Sequence, residues 1–201
     1  MSDGNPFDQS VTECLALHDW FVNEERAERT IQRFSEILVE CFRREGRVLT
    51  CGNGGSMCEA MHFAEELSGR YRKDRRALAA QSISDPSHLT CVGNDYGFES
   101  VFSRGVEAWG RPGDVLVAFS TTGKSPNVVA AAKTARARKM TVVGLLGQSG
   151  GDMKALCDLA LIVPGSTSDR IQEIHMRAVH FTIELVEREL FPANYAAGSS
   201  R

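Results

Sequence analysis

The apolar and polar positions of the chain fall into blocks that predict alternating strands and helices. Short continuous apolar runs, typical of strands buried on both faces, occupy 47–52, 114–119, 141–146 and 159–164, with a weaker run at 79–83. Helical patterns fill the intervals at 57–67, 98–109, 126–138, 153–157 and 168–190. The stretch 84–97 is expected to be mostly loop with a short helix. This alternation predicts a parallel sheet covered on both faces by helices.

Two further helices are predicted ahead of the first strand, over about 8–45. One apolar stripe on them is formed by residues three and four positions apart: Ile31, Phe34, Leu38 and Cys41. This stripe requires a partner surface, either the rest of the domain or another subunit. No linker divides the chain, so we expect one domain over 1–201 that ends in a loose tail at about 192–201.

Ligands of parallel sheets bind where strands end and helices begin, so the loops after the strands are the candidate sites. The first, CGNGGS at 51–56, is rich in glycines that let backbone N–H groups face an anion at a helix start. Gly52 and Gly54 fit the dinucleotide pattern G-x-G-x-x-G, but Met57 stands where the third glycine belongs. Nicotinamide binding is therefore weakly indicated, and a simple tight turn is the other interpretation.

The second loop, STTGKS at 120–125, places four hydroxyls and a glycine between a strand and a helix. Hydroxyls and helix-start amides together suit the oxygens of a phosphate monoester. A nucleotide-hydrolase P-loop is disfavoured, because Ala118 replaces its first glycine and Pro126 follows the serine directly. A serine-rich helix cap is the remaining alternative.

Two predicted helices carry groups that bind metals or transfer protons. His62 and Glu66 are four residues apart and share one helix face, which suits a metal site, proton exchange or a surface ion pair. Gln172 and His180 are eight apart, on roughly one side of the last helix, whereas His175 and His180 point about 140° apart. The spacing does not decide which histidine is functional and which belongs to the core.

A third polar pair, Asn94 and Asp95, stands in the sequence VGNDYG. Such a pair is explained either by a turn or by contact with sugar hydroxyls.

Composition narrows the function classes. The 201 residues are 42% hydrophobic and 24% charged, which excludes a disordered chain, a collagen-like chain and a coiled-coil rod. There are 23 basic and 26 acidic residues, a net charge of −3, so no basic excess predicts nucleic-acid binding. We expect no membrane span, because no run of about 18 apolar residues occurs. The first residues lack a basic start and an apolar run, so we expect no secretory signal.

Six cysteines are present without a C-x-x-C pair. We expect free thiols in a reducing cytoplasm and no zinc site made of cysteines alone.

The motifs taken in order resemble the phosphoheptose isomerases of the sugar isomerase (SIS) domain superfamily. The resemblance runs from the N-terminal helices to about Leu190. It rests on CGNGGS, AMHFAEELSGRYR, SHLTCVGNDYGF, the loop at 120–125 and DRIQEIHM. It implies an SIS-type three-layer α/β/α sandwich with a five-stranded parallel sheet and N-terminal helices. It also implies a homotetramer with active sites between subunits.

The resemblance further implies an aldose–ketose isomerase. Its reaction converts sedoheptulose 7-phosphate to D-glycero-D-manno-heptose 7-phosphate through an enediol, the first step toward the ADP-heptose of the lipopolysaccharide core. Glu66 would move the proton between C1 and C2, and His180 would be its acid partner. One zinc ion per subunit would be bound by His62, Glu66, Gln172 and His180. The substrate would contact Asn53, Gly54, Gly55, Ser56, Asn94, Asp95, Ser120, Thr121, Thr122, Ser125, Asp169 and Gln172.

Two departures from the family pattern leave the chemistry intact. Thr122 stands where serine is common and keeps the hydroxyl, and Lys124 stands where a neutral residue is common, so its side chain either attracts phosphate or points to solvent. A related SIS-type adaptor that associates with the replication initiator is the alternative function. That class does not require the acid, base and metal residues, and their presence here favours the enzyme.

Overall fold

The computed structural model describes residues 5–196. Its helices are α1 Pro6–Asn23, α2 Glu25–Arg43, α3 Gly55–Ser68, α4 Pro86–Tyr96, α5 Val101–Trp109, α6 Pro126–Ala137 and α7 Ser168–Leu190. Its strands are β1 Val48–Cys51, β2 Ala80–Ser82, β3 Val115–Ser120, β4 Thr141–Gly147 and β5 Leu159–Val163. Short 3-10 helices cover Phe98–Ser100, Gly151–Ala155 and Pro192–Tyr195.

The five strands form one sheet in the order β2-β1-β3-β4-β5, and each neighbouring pair is parallel. The chain therefore moves outward from β1 to β2, returns to β3 on the other side of β1, and continues to the opposite edge. Ligands of open parallel sheets bind at this point of reversal, outside the carboxyl ends of β1 and β3. The predicted three-layer α/β/α fold is confirmed.

Two apolar layers sandwich the sheet. One contains Phe34, Phe63 and Phe119 and is covered by α2, α3 and α7, while the other contains Phe102 and Leu116 and is covered by α5 and α6. Successive residues of β1 and β3 contribute to opposite layers because side chains alternate along a strand. No helix of the described residues has the length and apolar character to cross a membrane.

The apolar stripe of α2 finds its partner within the chain. Its four residues are buried and belong to the layer shared with α3 and α7: Ile31, Phe34, Leu38 and Cys41. The partner surface of this stripe is therefore the rest of the domain and not another subunit.

The structure differs from the sequence prediction at two places. The stretch expected to be mostly loop at 84–97 is the 11-residue α4, whose first turn is capped by Asp85, with its side chain accepting a bond from the His88 amide at 2.8 Å. Asp followed by Pro86 also suits a turn, and this ambiguity explains the difference. In the expected loose tail, Pro192–Tyr195 is a 3-10 helix, and 197–201 lie outside the described residues.

Truncating Phe34 tests how much the α2 stripe stabilises the fold. Its ring is 2% exposed and lies 5.7 Å from the Phe63 ring. We expect Phe34→Ala to lower the free energy of unfolding by about 3–5 kcal/mol, because it leaves a cavity. Phe34→Leu, which keeps most of the volume, should cost about 1–2 kcal/mol. Urea denaturation measures both, and equal losses would contradict the cavity explanation.

Candidate functional site

The point of reversal in the sheet brings the two predicted loops together. A cavity of about 280 Å³ opens between them. It is lined by the first loop, the second loop and the start of α7, namely Asn53, Gly55, Ser56, Phe119, Ser120, Thr121, Thr122, Ser125, Ser168 and Gln172. Most of these residues offer a hydroxyl or amide group, so the cavity can satisfy the oxygens of a polar anion.

The loop after β3 is shaped by its own hydroxyls. The Ser120 Oγ accepts a bond from the Gly123 amide at 3.0 Å, and the Thr122 Oγ1 accepts one from the Lys124 amide at 3.2 Å. Ser125 precedes α6 without a side-chain capping bond, so the helix-cap alternative is wrong for its hydroxyl. The Lys124 side chain is exposed.

The loop after β1 reaches the same cavity from the other side. Gly54 has φ +54° at the start of α3, and the amides of Asn53 and Asn127 exchange two bonds of 2.8 Å between this loop and the first turn of α6. Gln172 donates to the Ser56 Oγ at 3.4 Å. A side chain at Gly55 would overlap the Gln172 amide, since an added Cβ would lie 2.6 Å from its Nε2.

Two residues of this region were missed by sequence analysis. Asn127 is 2% exposed and holds the two loops together, while the Ser168 Oγ lies 3.0 Å from the Thr121 Oγ1. Both stand at the first or second position of a helix that begins beside the cavity. Their place directly after a loop was the available signal.

The candidate acid–base residues converge where the second half of α3 meets the middle of α7. The His62 Nε2 lies 3.2 Å from the Glu66 Oε1, the His180 Nε2 lies 3.8 Å from that same oxygen, and the two imidazole nitrogens are 3.4 Å apart. The Glu66 side chain is 14% exposed, whereas both histidines are about 40% exposed. The Tyr71 ring stacks on His180 at 6.0 Å between centroids.

These three side chains fit a divalent metal. Tetrahedral zinc with bonds of about 2.0–2.2 Å holds neighbouring ligand atoms about 3.3–3.6 Å apart, close to the separations observed. The Glu66 Oε2 is buried and has no hydrogen-bond partner, so this carboxylate is free to receive a cation. Gln172 is not in this cluster, because its amide donates to the Ser56 Oγ. Its position on α7 is eight residues before His180, which is about 12 Å of helix rise.

The structure separates the two histidines that spacing left undecided. His175 is fully buried, with its Nε2 3.0 Å from the Leu146 carbonyl oxygen and its Nδ1 3.4 Å from the Glu59 carboxylate. His175 is therefore the core histidine, and His180 is the one that faces Glu66.

The remaining candidate residues are exposed. Asn94 and Asp95 lie in α4, so the turn interpretation is wrong; they bond each other at 2.7 Å and do not line the cavity. Asp169 stands in the first turn of α7, where a hydrogen bond from the Thr167 hydroxyl lowers the pKa of its carboxyl. Its carboxylate also lies 3.5 Å from the Arg170 guanidinium.

Comparison with known proteins gives one consistent result. A family model described as the SIS domain matches residues 17–147. The phosphoheptose isomerase of Fusobacterium nucleatum is 55% identical over 175 residues, covering 87% of this chain and 90% of that protein. That of Aeromonas hydrophila is 49% identical over 181 residues, covering 90% and 94%.

Solved structures agree with the sequence comparison. The phosphoheptose isomerase GmhA from Neisseria gonorrhoeae matches with a TM-score of 0.78 and 40% identity, covering 90% of this chain and 94% of that one. The phosphoheptose isomerase from Francisella tularensis matches with a TM-score of 0.88 and 30% identity, covering 94% and 100%.

Two glycines distinguish conformational strain from steric exclusion: Gly123 in the loop after β3 and Gly113 just ahead of that strand. Gly123 has φ +65°, and an added Cβ would lie 1.9 Å from the Gly150 carbonyl oxygen; Gly113 has φ +88° with open space around it. We expect Gly113→Ala to lower the free energy of unfolding by about 1 kcal/mol and Gly123→Ala by about 3 kcal/mol or more. Urea denaturation compares them, and equal losses would show that backbone conformation alone is responsible.

Proposed function

The chain belongs to the SIS domain family and, within it, to the phosphoheptose isomerases, and on that premise we propose that it interconverts sedoheptulose 7-phosphate and D-glycero-D-manno-heptose 7-phosphate. The observation that carries the proposal is the placement of Glu66 within 3.8 Å of His180. The helices that bear them, α3 and α7, both begin at the hydroxyl-lined cavity.

The reaction moves one proton between adjacent carbons. When the ketose is the substrate, the Glu66 carboxylate removes a proton from C1, next to the C2 carbonyl. The electrons of the broken C–H bond then form an enediol. Glu66 then returns the proton to C2, which leaves the carbonyl at C1. His180 transfers a proton between the two sugar oxygens, so that neither carries full negative charge during the exchange.

The phosphate lies at the far end of the sugar and does not react. We place it in the cavity, against the hydroxyls of Ser120, Thr121, Thr122 and Ser125. We propose that the sugar extends along Asn53, Gly54, Gly55 and Ser56 toward His62, Glu66 and His180, and that Asp169 and Gln172 contact it from α7. Binding energy gained at the phosphate then positions C1 and C2 beside Glu66.

His62, Glu66 and His180 would hold one zinc ion per subunit. Gln172, whose amide donates to Ser56 in this structure, is the proposed fourth ligand. Bound zinc supplies a Lewis acid for the developing negative charge on oxygen. A carboxylate bound tightly to zinc is a weaker base, so we propose a labile site that releases Glu66.

We propose that the active protein is a homotetramer with sites between subunits. Large apolar residues of α1 are exposed in the single chain, Phe7 by 70% and Leu15 by 58%, and a second copy would cover them. Asn94 and Asp95 lie off the cavity of their own chain, as expected of residues that serve a neighbouring site.

We also propose a cytoplasmic location, supported by the six cysteines, which all lie in the described part of the chain as free thiols. The adaptor alternative has no support, because the relatives at 40–55% identity are named phosphoheptose isomerases and His62, Glu66 and His180 lie together.

Replacing the base tests the isomerase assignment directly. We expect Glu66→Gln to lower kcat for sedoheptulose 7-phosphate by about 10³-fold, because the amide accepts no proton, while KM changes little. Glu65→Gln alters the exposed neighbouring carboxylate and serves as the matched control. Near-normal turnover by Glu66→Gln would remove Glu66 from the reaction.

Metal binding is tested separately. Calorimetric titration of zinc into chelator-treated protein should show one site per chain, and His62→Ala should weaken it by more than tenfold because a ligand is lost. His18→Ala is the control, because this histidine lies on α1 with its Nδ1 2.7 Å from the Arg177 guanidinium and is not one of the three ligands. An unchanged affinity in His62→Ala would contradict the ligand set, and full turnover after chelation would remove zinc from the reaction.

A further inference from the structure

The segment 69–78, which connects α3 to β2, runs along one face of α7. The Tyr71 ring stacks on His180, and the Arg72 Nη1 lies 2.8 Å from the Glu184 Oε2. The Arg75 Nε lies 2.8 Å from the Glu187 Oε1. The three α7 partners are spaced by four and three residues, so they share one face of the helix.

Arg75 is distinguished from its neighbours by complete burial. Its side chain is 1% exposed and that of Glu187 is 0% exposed. Its guanidinium also donates to carbonyls of the last turn of α3 and of the residue after it: Nη2 to the Glu66 oxygen at 2.6 Å, and Nη1 to the Leu67 and Gly69 oxygens at 2.8 and 2.9 Å. These carbonyls lie where a helix leaves its acceptors unpaired, and a cation there is favourable.

The C-terminal 3-10 helix completes this cluster. The Tyr195 hydroxyl donates to the Glu187 Oε2 at 2.8 Å, so both carboxylate oxygens are occupied. The Asn194 amide donates to the Asp74 carbonyl at 3.0 Å, which ties the same 3-10 helix to the segment 69–78.

We propose that Arg75 is a positioning residue for the reaction: by binding the backbone carbonyl of Glu66 and the carboxylate of Glu187 together, it fixes the last turn of α3 against α7. This inference rests on the proposed function, in which Glu66 and His180 act as a pair. The two side chains come from different helices, so their separation depends on how those helices are joined. A misplacement of about 1 Å at a reacting group costs about 100-fold in rate.

Arg75→Lys tests the proposal because lysine keeps the charge but lacks the planar fork of donors. We expect kcat for sedoheptulose 7-phosphate to fall by about 10- to 100-fold with KM within about threefold, since the phosphate cavity is untouched. Tyr195→Phe, which removes one bond at the edge of the cluster, should lower kcat by about three- to tenfold. Arg43→Lys is the control, because Arg43 pairs with Glu189 of α7 in an exposed bridge at 2.6 Å.

Hydrogen exchange provides a readout independent of turnover. The amides of Leu67–Gly69 should exchange faster in Arg75→Lys and Tyr195→Phe than in the wild type, and at the wild-type rate in Arg43→Lys. If the wild type has no isomerase activity, the proposed function fails. Wild-type exchange rates in both variants would separately overturn the proposal that Arg75 fixes the last turn of α3 against α7.

The outcomes that overturn the positioning role are definite. A folded Arg75→Lys protein with the kcat of Arg43→Lys would do so, as would a loss carried entirely by KM. If Arg75→Lys fails to fold, Tyr195→Phe decides, and unchanged kcat and exchange in that variant would overturn the proposal.

Discussion

The parallel pairing of β1 with β3 is the constraint on which the site depends. Because the two strands run in the same direction, their carboxyl ends meet at one edge of the sheet, and the loops that follow them share a cavity. Helix α3 starts from one of these loops, and α7 starts with Ser168 beside the other. The proposed phosphate cavity therefore lies at the head of both helices that carry His62, Glu66 and His180, so the phosphate binding and proton transfer that we propose would be arranged by a single packing geometry.

Buried ionisable pairs tie α7 to α3 and to the segment that follows α3, on both sides of His62, Glu66 and His180. Glu59 and His175 approach to 3.4 Å in the core toward the cavity, and Arg75 and Glu187 meet at 2.8 Å beyond the triad. Such pairs contribute little net stability, because desolvation offsets their attraction, but they penalise any sliding of one helix along the other. A site built from two helices requires that kind of specificity more than it requires extra stability.

The sequence predicted the strands and both loops well, because buried parallel strands are short apolar runs and the loops carry glycine or hydroxyl clusters. The spacing of His62 and Glu66 also predicted their proximity, because residues four apart on a helix share one face. The choice between His175 and His180 came only from the family resemblance, because periodicity does not say which face of α7 meets the sheet. Arg75 was not predicted at all: its partner is 112 residues away, and in the sequence it is one basic residue among several at 70–76.

The long separation of Arg75 from Glu187 has a consequence for biogenesis. A ribosome releases the chain from its N-terminus, so α3 and the arginine emerge well before α7 and Tyr195. Until α7 and Tyr195 have been released, the guanidinium has no carboxylate to receive it. All five strands precede α7 in the chain, so the sheet is released before the contact that we propose positions Glu66 can form.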